Sequence, residues 1–235
     1  MPIISFANPK GGAGKTTSAL LLAGELARKG ARVVIVDADP ERWISQWARL
    51  PGKPDSIEIL GDVTEDTIVD QIEKAAEAAQ FVIVDLEGTA SLMVANAIGM
   101  SDFVVIPAQG ASMDAKGAAK TIKLIRNQER MARRPIPHSV LLTRTSAAVA
   151  TRSLKNVRDQ LSRAGVDVFE TAIVERAAYR DIFDYGGLLC DLGAQASNLE
   201  KAQDNARAFA GEALAKLREA AKITKGSFRS RALSR

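Results

Sequence analysis

Asn8-Pro9-Lys10-Gly11-Gly12-Ala13-Gly14-Lys15-Thr16-Thr17 stands between an apolar run, Ile3–Ala7, and a helical stretch, Thr16–Lys29. Glycines allow a backbone path whose N–H groups converge on phosphate oxygens, and the helix that follows adds the partial positive charge of its N-terminus. Lys15 is placed to reach β- and γ-phosphates, the Thr16 hydroxyl to ligate Mg²⁺, and Thr17 to order the loop or contact the α-phosphate. Gly11, Gly12, Ala13 and Gly14 supply the amides.

Outward from this loop, β-rich runs alternate with helical stretches. The strands expected are Ile3–Ala7, Arg32–Val36, Ile57–Leu60, Phe81–Val84, Phe103–Ile106 and Ser139–Thr143, with a weaker one at Val166–Thr171. Helices are expected over Thr16–Lys29, Glu41–Arg49, Glu65–Ala79, Ser91–Gly99, Ala115–Ala132, Thr151–Ala164 and Leu199–Lys222. Near-continuous apolar strands are those of a parallel sheet covered on both sides. The fold class is therefore α/β, a doubly wound, mostly parallel sheet with helices on both faces. Residues 1–222 are read as one domain and 223–235 as a basic tail.

Two acidic clusters follow strands, at the sheet edge where doubly wound folds bind ligands. Val33-Val34-Ile35-Val36 runs into Asp37-Ala38-Asp39-Pro40, whose two aspartates share a face. The Asp-Pro pair is also a fitting cap for the helix after it. Phe81-Val82-Ile83-Val84 runs into Asp85-Leu86-Glu87-Gly88, where Asp85 is expected to hold Mg²⁺ through water. Glu87 reads as a solvent-facing loop residue.

Composition narrows the class. With 46% apolar and 26% charged residues in 235, the chain is globular. One cysteine, Cys190, allows no internal disulfide and no Cys-rich metal site, and it is assigned to packing. No 18-residue apolar run and no basic leader are present, so a cytoplasmic protein is expected. The net charge of +4 is uneven: Lys216–Arg235 holds seven basic residues and one acid. Such an end favours polyanions. His138 lies far in sequence from every acid of the site. Trp43 and Trp47, at i and i+4, either staple their helix to the core or sit where they sense nucleotide.

The general phosphate-loop pattern is not met strictly, because Pro9 stands where the first glycine belongs. The stretch Lys10–Thr17 instead resembles the deviant Walker A motif of the ParA/MinD ATPases, and with the later matches it is most similar to small ParF-like plasmid-partition ATPases. Phe103–Pro107, Leu141–Arg144 and Phe169–Ile173 with Glu175, Arg176 and Tyr179 carry weaker likeness, also to the ParA-like accessory ATPase of transferred-DNA processing in plant-transforming bacteria. The resemblance covers roughly residues 1 to 220.

It implies ATP and Mg²⁺ as cofactors, and catalysis by Lys15, Asp39 and Lys10. Lys10 would be the lysine that crosses to the partner's nucleotide in an ATP-sandwich homodimer. Asp39, 24 residues after Lys15, would position the attacking water, Asp37 would lie near Mg²⁺, Gly88 would donate an amide near the γ-phosphate, and Thr143 would lie where many members contact the base. Hydrolysis is expected to be slow until a ParB-like DNA-binding adaptor accelerates it. The loop's place near the start leaves no room for a helix-turn-helix domain, so the expected attachment is to non-specific DNA, on the nucleoid. The residues chosen for it are Arg152, Lys155 and Arg158, which share a helix face. A membrane-cycling regulator and a positioning ATPase of a DNA-transfer complex are the alternatives. A metabolic enzyme on the same loop is disfavoured, because the iron–sulfur relatives need two cysteines per subunit.

Overall fold

The computed structural model describes residues 1–89, 91–110, 112–146, 152–193 and 196–232, with the side chains of 112–115, 152–154 and 223–232 excepted. Six strands form one sheet: β1 (Ile3–Phe6), β2 (Val33–Ala38), β3 (Ile57–Leu60), β4 (Phe81–Leu86), β5 (Phe103–Gln109) and β6 (His138–Thr143). All pairings are parallel and the order is β3-β2-β4-β1-β5-β6. The chain winds outward from β1 on one side and, after β4, on the other. That reversal leaves a crevice at the C-terminal ends of the central strands.

Among the described residues, eight helices accompany the sheet: α1 (Lys15–Arg28), α2 (Trp43–Trp47), α3 (Ile68–Ala78), α4 (Leu92–Met100), α5 (Ser112–Ala132), α6 (Arg152–Arg163), α7 (Ala178–Tyr185) and α8 (Leu199–Ala232). Alternate strand residues point to opposite faces. Ile4, Phe6, Ile35 and Ile83 pack under α1, α7 and α8. Ile3, Val34, Val36, Val82 and Val84 pack under α3, α4, α5 and α6. Both faces are apolar, which is why these strands read as unbroken runs. Trp47 is buried in the first layer and donates its indole N–H to the Gly187 carbonyl at 3.0 Å.

Three expectations are corrected. Val166–Thr171 is no regular strand: it follows β6 through single bridges, Val140 to Val168 and Thr145 to Val174. Phe169 N and Ile173 N still donate to the Val140 and Leu142 carbonyls of β6, while the amides of Glu170 and Thr171 go to Glu212 and that of Val174 to Asn205, both on α8, so the pairing with β6 stays intermittent. Helix α7 was not expected, although Ala178, Tyr179 and Ile182 lie buried on one face and Gly186 closes the helix with φ of 82°. Helix α8 runs ten residues past its expected end at Lys222.

Candidate nucleotide-binding site

The loop between β1 and α1 turns on Gly12 and Gly14, whose φ angles of 71° and 92° lie in the left-handed region that other residues avoid. Gly14 precedes α1, whose first turn holds no acidic residue, so the positive end of the helix is left to a ligand. The loop is held from three sides. Asn8, buried, donates to the Pro107 carbonyl at 2.6 Å and accepts from Lys10 N at 2.9 Å. Gln109 donates to Gly12 O at 2.8 Å, and Thr143 donates its hydroxyl to Ala13 O at 2.7 Å.

A cavity of about 650 Å³ opens over this loop, a size that accepts a nucleotide. The expected residues Gly11, Gly12, Ala13, Gly14, Lys15, Thr16, Thr17, Asp39 and Gly88 line it, and so does Glu87. A Cβ on Gly88 would sit 3.6 Å from Gly11 N and 3.7 Å from Lys15 Nζ, so Gly88 lies against the loop. Glu87 is thus a wall of the cavity, not merely a solvent-facing loop residue. Thr143 is also corrected: it is buried behind the loop, its hydroxyl is committed to Ala13 O, and it does not line the cavity.

Register brings the acids together. Asp37 and Asp85 are directly paired residues of adjacent strands, and Asp85 is paired with Phe6, two residues before the loop. Asp37 Oδ2 accepts from Ser45 N and Oγ at 2.7 and 2.6 Å. Among the described residues, Asp37 Oδ1 and both oxygens of Asp85 are buried without a hydrogen-bond partner. Burial pushes the Asp85 carboxyl up to about 8, and the nearby Thr16 hydroxyl and Lys15 ammonium offset only part of this. Burial likewise raises Asp37, against the Ser45 hydrogen bonds.

Three orphaned carboxylate oxygens beside a threonine hydroxyl fit a hard divalent cation that completes its shell with phosphate and water. No group of three metal-ligating His, Cys, Asp or Glu exists among the described residues, so the protein alone makes no full cage. Asp39 Oδ1 accepts from Glu41 N at 3.0 Å. Helix α2 starts four residues beyond Asp39, behind Arg42, which makes no side-chain cap; Asp39 is a cavity residue and not its cap.

The metal-free protein is expected to lose stability as pH rises from about 4 to about 8. Across that window the folded Asp85, held at about 8, keeps a proton that the unfolded chain, near 3.8, has released. Stability is then full below the unfolded value and is lost as pH rises through the folded one; Asp37 acts in the same direction. Thermal melts in chelator should show this slope in the wild type and a flatter one in Asp85→Asn. Equal slopes would show that Asp85 is not the titrating group.

The protein-family profile described as "VirC1 protein" matches residues 1–227. "Protein ParA" of Rhizobium radiobacter is 40% identical over 220 residues, covering 94% of this chain and 99% of that one. The chain belongs to the VirC1 family and is a ParA/MinD-family ATPase. "Maintenance of carboxysome distribution protein A" of Halothiobacillus neapolitanus is 28% identical, covering 82% and 88% of the two chains. Among solved structures, the ATP complex of a Cyanothece McdA carrying an Asp-to-Ala substitution superposes with a TM-score of 0.73 at 17% identity, covering 94% and 96%. It shares the doubly wound fold.

In this ParA/MinD-family chain, sequence reasoning missed part of the cavity wall. Arg180, Phe183 and Asp184 come from α7, and Trp43 and Arg144 also line it. Glu175 holds both guanidiniums, Arg180 at 2.8 Å and Arg144 at 3.7 Å. Arg144 has φ of 51°, an uncommon conformation for a side-chain-bearing residue, at the exit of β6. The helical spacing of the apolar residues Ala178, Tyr179 and Ile182 was the available signal. The two tryptophans divide the roles considered for them: Trp47 is core, and Trp43, 49% exposed, lines the cavity.

The chosen DNA residues fare differently. Arg158 donates to Phe169 O at 2.6 Å, to Glu170 O at 3.1 Å and to the Glu170 carboxylate at 3.3 Å. It is a brace between α6 and the segment beside β6, because its guanidinium is committed to those acceptors. Lys155 is exposed, and the Arg152 side chain lies outside the described residues. His138 hydrogen-bonds the Ile136 carbonyl through Nδ1 and does not line the cavity. Cys190 is exposed, not packed; partial burial and the neighbouring Asp191 raise its thiol, which makes it a poor nucleophile.

Proposed function

We propose that this chain is a Mg²⁺-dependent ATPase that hydrolyses ATP to ADP and phosphate, dimerises around ATP and, in that state, attaches to DNA without reading its sequence. The observation that carries the reading is the set of three buried, partnerless oxygens on the paired acids Asp37 and Asp85, with Asp85 in the field of Lys15 and Thr16, which line the cavity over the glycine loop. The ATP held by the superposable McdA structure supports it.

Backbone amides of residues 11–17 and the Lys15 ammonium hold the phosphates. Thr16, Asp37 and, through water, Asp85 hold Mg²⁺, which supplies charge neutralisation when bound. Asp39 orients the attacking water, and the partner's Lys10 completes the electrostatic cage. Positioning and fixed charge then lower the barrier. Turnover waits for a ParB-like DNA-binding adaptor, and the protein works in the cytoplasm on the nucleoid. Among the described residues no helix is long and apolar enough to cross a membrane. The domain is residues 1–222, with 223–235 as a basic extension.

The relatives named Protein ParA and Maintenance of carboxysome distribution protein A share this domain, which supports a cargo set outside the nucleotide site. A DNA-transfer complex is therefore an equally fitting cargo. The test is sizing plus co-sedimentation with random-sequence duplex and with phosphatidylserine vesicles, in ATP, in ADP and without nucleotide. Dimer formation and duplex capture in ATP alone are expected. Capture by vesicles alone would replace DNA attachment by membrane cycling, and no nucleotide-dependent change in either would sink the proposal.

A further inference from the structure

The outward face of α5 carries Lys116, Lys120, Lys123, Arg126 and Arg130, all exposed. At 100° per residue these positions fall within an arc of about 120°, and they extend along about 21 Å of helix. The opposite face, with Ala118, Thr121, Ile122 and Ile125, is buried against the sheet, so the ridge sits on a rigid support. Glu129, the one acidic residue of α5 with a described side chain, is turned away and accepts the Ile136 amide.

Among the described residues, none of Lys116, Lys120, Lys123, Arg126 and Arg130 has an ion-pair partner. Each instead has like-charged neighbours three or four positions away, an arrangement that repels along a helix. A polyanion laid on this face would relieve that repulsion.

We propose that the α5 ridge is the surface that grips the phosphate backbone of duplex DNA. This rests on the DNA attachment proposed above and moves it from α6, where Arg158 is a brace, to α5. Duplex is favoured over single strands because α5 has no aromatic residue on which bases could stack. It is favoured over a membrane surface because Met131 is the only large apolar side chain exposed along the described part of the helix. Duplex DNA carries a charge about every 1.7 Å of axis, so a straight ridge of this length faces many phosphates.

The near end of the helix touches the nucleotide loop. A Cβ at Gly117 would come within 2.9 Å of Asn8 Oδ1, the atom that accepts from Lys10 N. The base of the ridge therefore packs against the side chain that shapes the loop.

The test is a salt series of duplex affinity for the full chain in Mg²⁺ and a slowly hydrolysed ATP analogue. It compares wild type, the triple variant Lys120→Gln, Lys123→Gln, Arg130→Gln, and a control on α6, Lys155→Gln with Arg163→Gln. Losing three phosphate contacts should lower the slope of log affinity against log salt by about 2 to 3 and weaken binding by roughly tenfold to several hundredfold. Basal ATP turnover and melting should stay at wild-type values, and Arg at positions 120 and 123 should restore binding. If the triple variant keeps the wild-type slope while the α6 control loses it, the ridge is overturned and DNA attachment stands. If wild type captures no duplex in any nucleotide state, or is held by phosphatidylserine vesicles alone, both fall together.

Discussion

Lys15→Ala is expected to remove nucleotide binding, weakening affinity more than a hundredfold and taking turnover below detection. Lys15 is almost wholly buried at the first position of α1, and its Nζ lies within reach of Gly88 and of the Asp85 field. A hydrogen bond from a charged donor is worth about 1.5 to 3 kcal/mol. Two such contacts to phosphate oxygens, lost together, exceed the hundredfold mark. Removing the ammonium also takes away one of the two groups that hold Asp85 down. Calorimetric titration of ATP with Mg²⁺ reads the loss directly. Near-normal affinity in Lys15→Ala would mean that the cavity over the loop is not the nucleotide site.

Asp39→Ala should separate binding from chemistry. Asp39 lines the cavity two residues beyond buried Asp37, and among the described residues its side chain bonds locally, accepting from Glu41 N. It therefore holds neither the loop nor the paired acids in place. Affinity should stay within about threefold, while turnover falls by about 10² to 10⁴, the range attributable to a positioned proton acceptor. The protein should accumulate as the ATP-bound dimer. Titration gives the first number and phosphate release the second. Equal loss of affinity in Asp39→Ala and Lys15→Ala would refute the division of roles, whereas full turnover would assign water positioning elsewhere, with Glu87 on the same wall the next residue to replace.

Both variants rest on residues that local spacing identified. Lys15, Thr16, Asp37, Asp39 and Asp85 each follow directly from an apolar run, because a parallel strand buried on both faces must be apolar and must end at the ligand edge. The apolar runs and helical spacing likewise marked all six strands and seven of the eight helices among the described residues, with Ile57–Leu60 bounded as expected. Short helices with mixed faces escaped, as α7 shows. So did Asn8 and Gln109 as clamps of the loop, since their partners, Pro107 and Gly12, lie 99 and 97 residues away.

The sequence by itself determined the α/β class, the phosphate loop and the acids that serve it, because each is written in neighbouring residues whose chemistry does not depend on distant partners. Only the tertiary structure decided which charges are available. Arg158 and Lys155 lie three positions apart on one helix, yet the first is spent on the carbonyls beside β6 and the second is exposed. Asp85 becomes a carboxyl held at about 8 only when β1 and β2 close on either side of it and exclude water. Desolvation and hydrogen-bond commitment are properties of what packs around a group, and long-range pairing sets both.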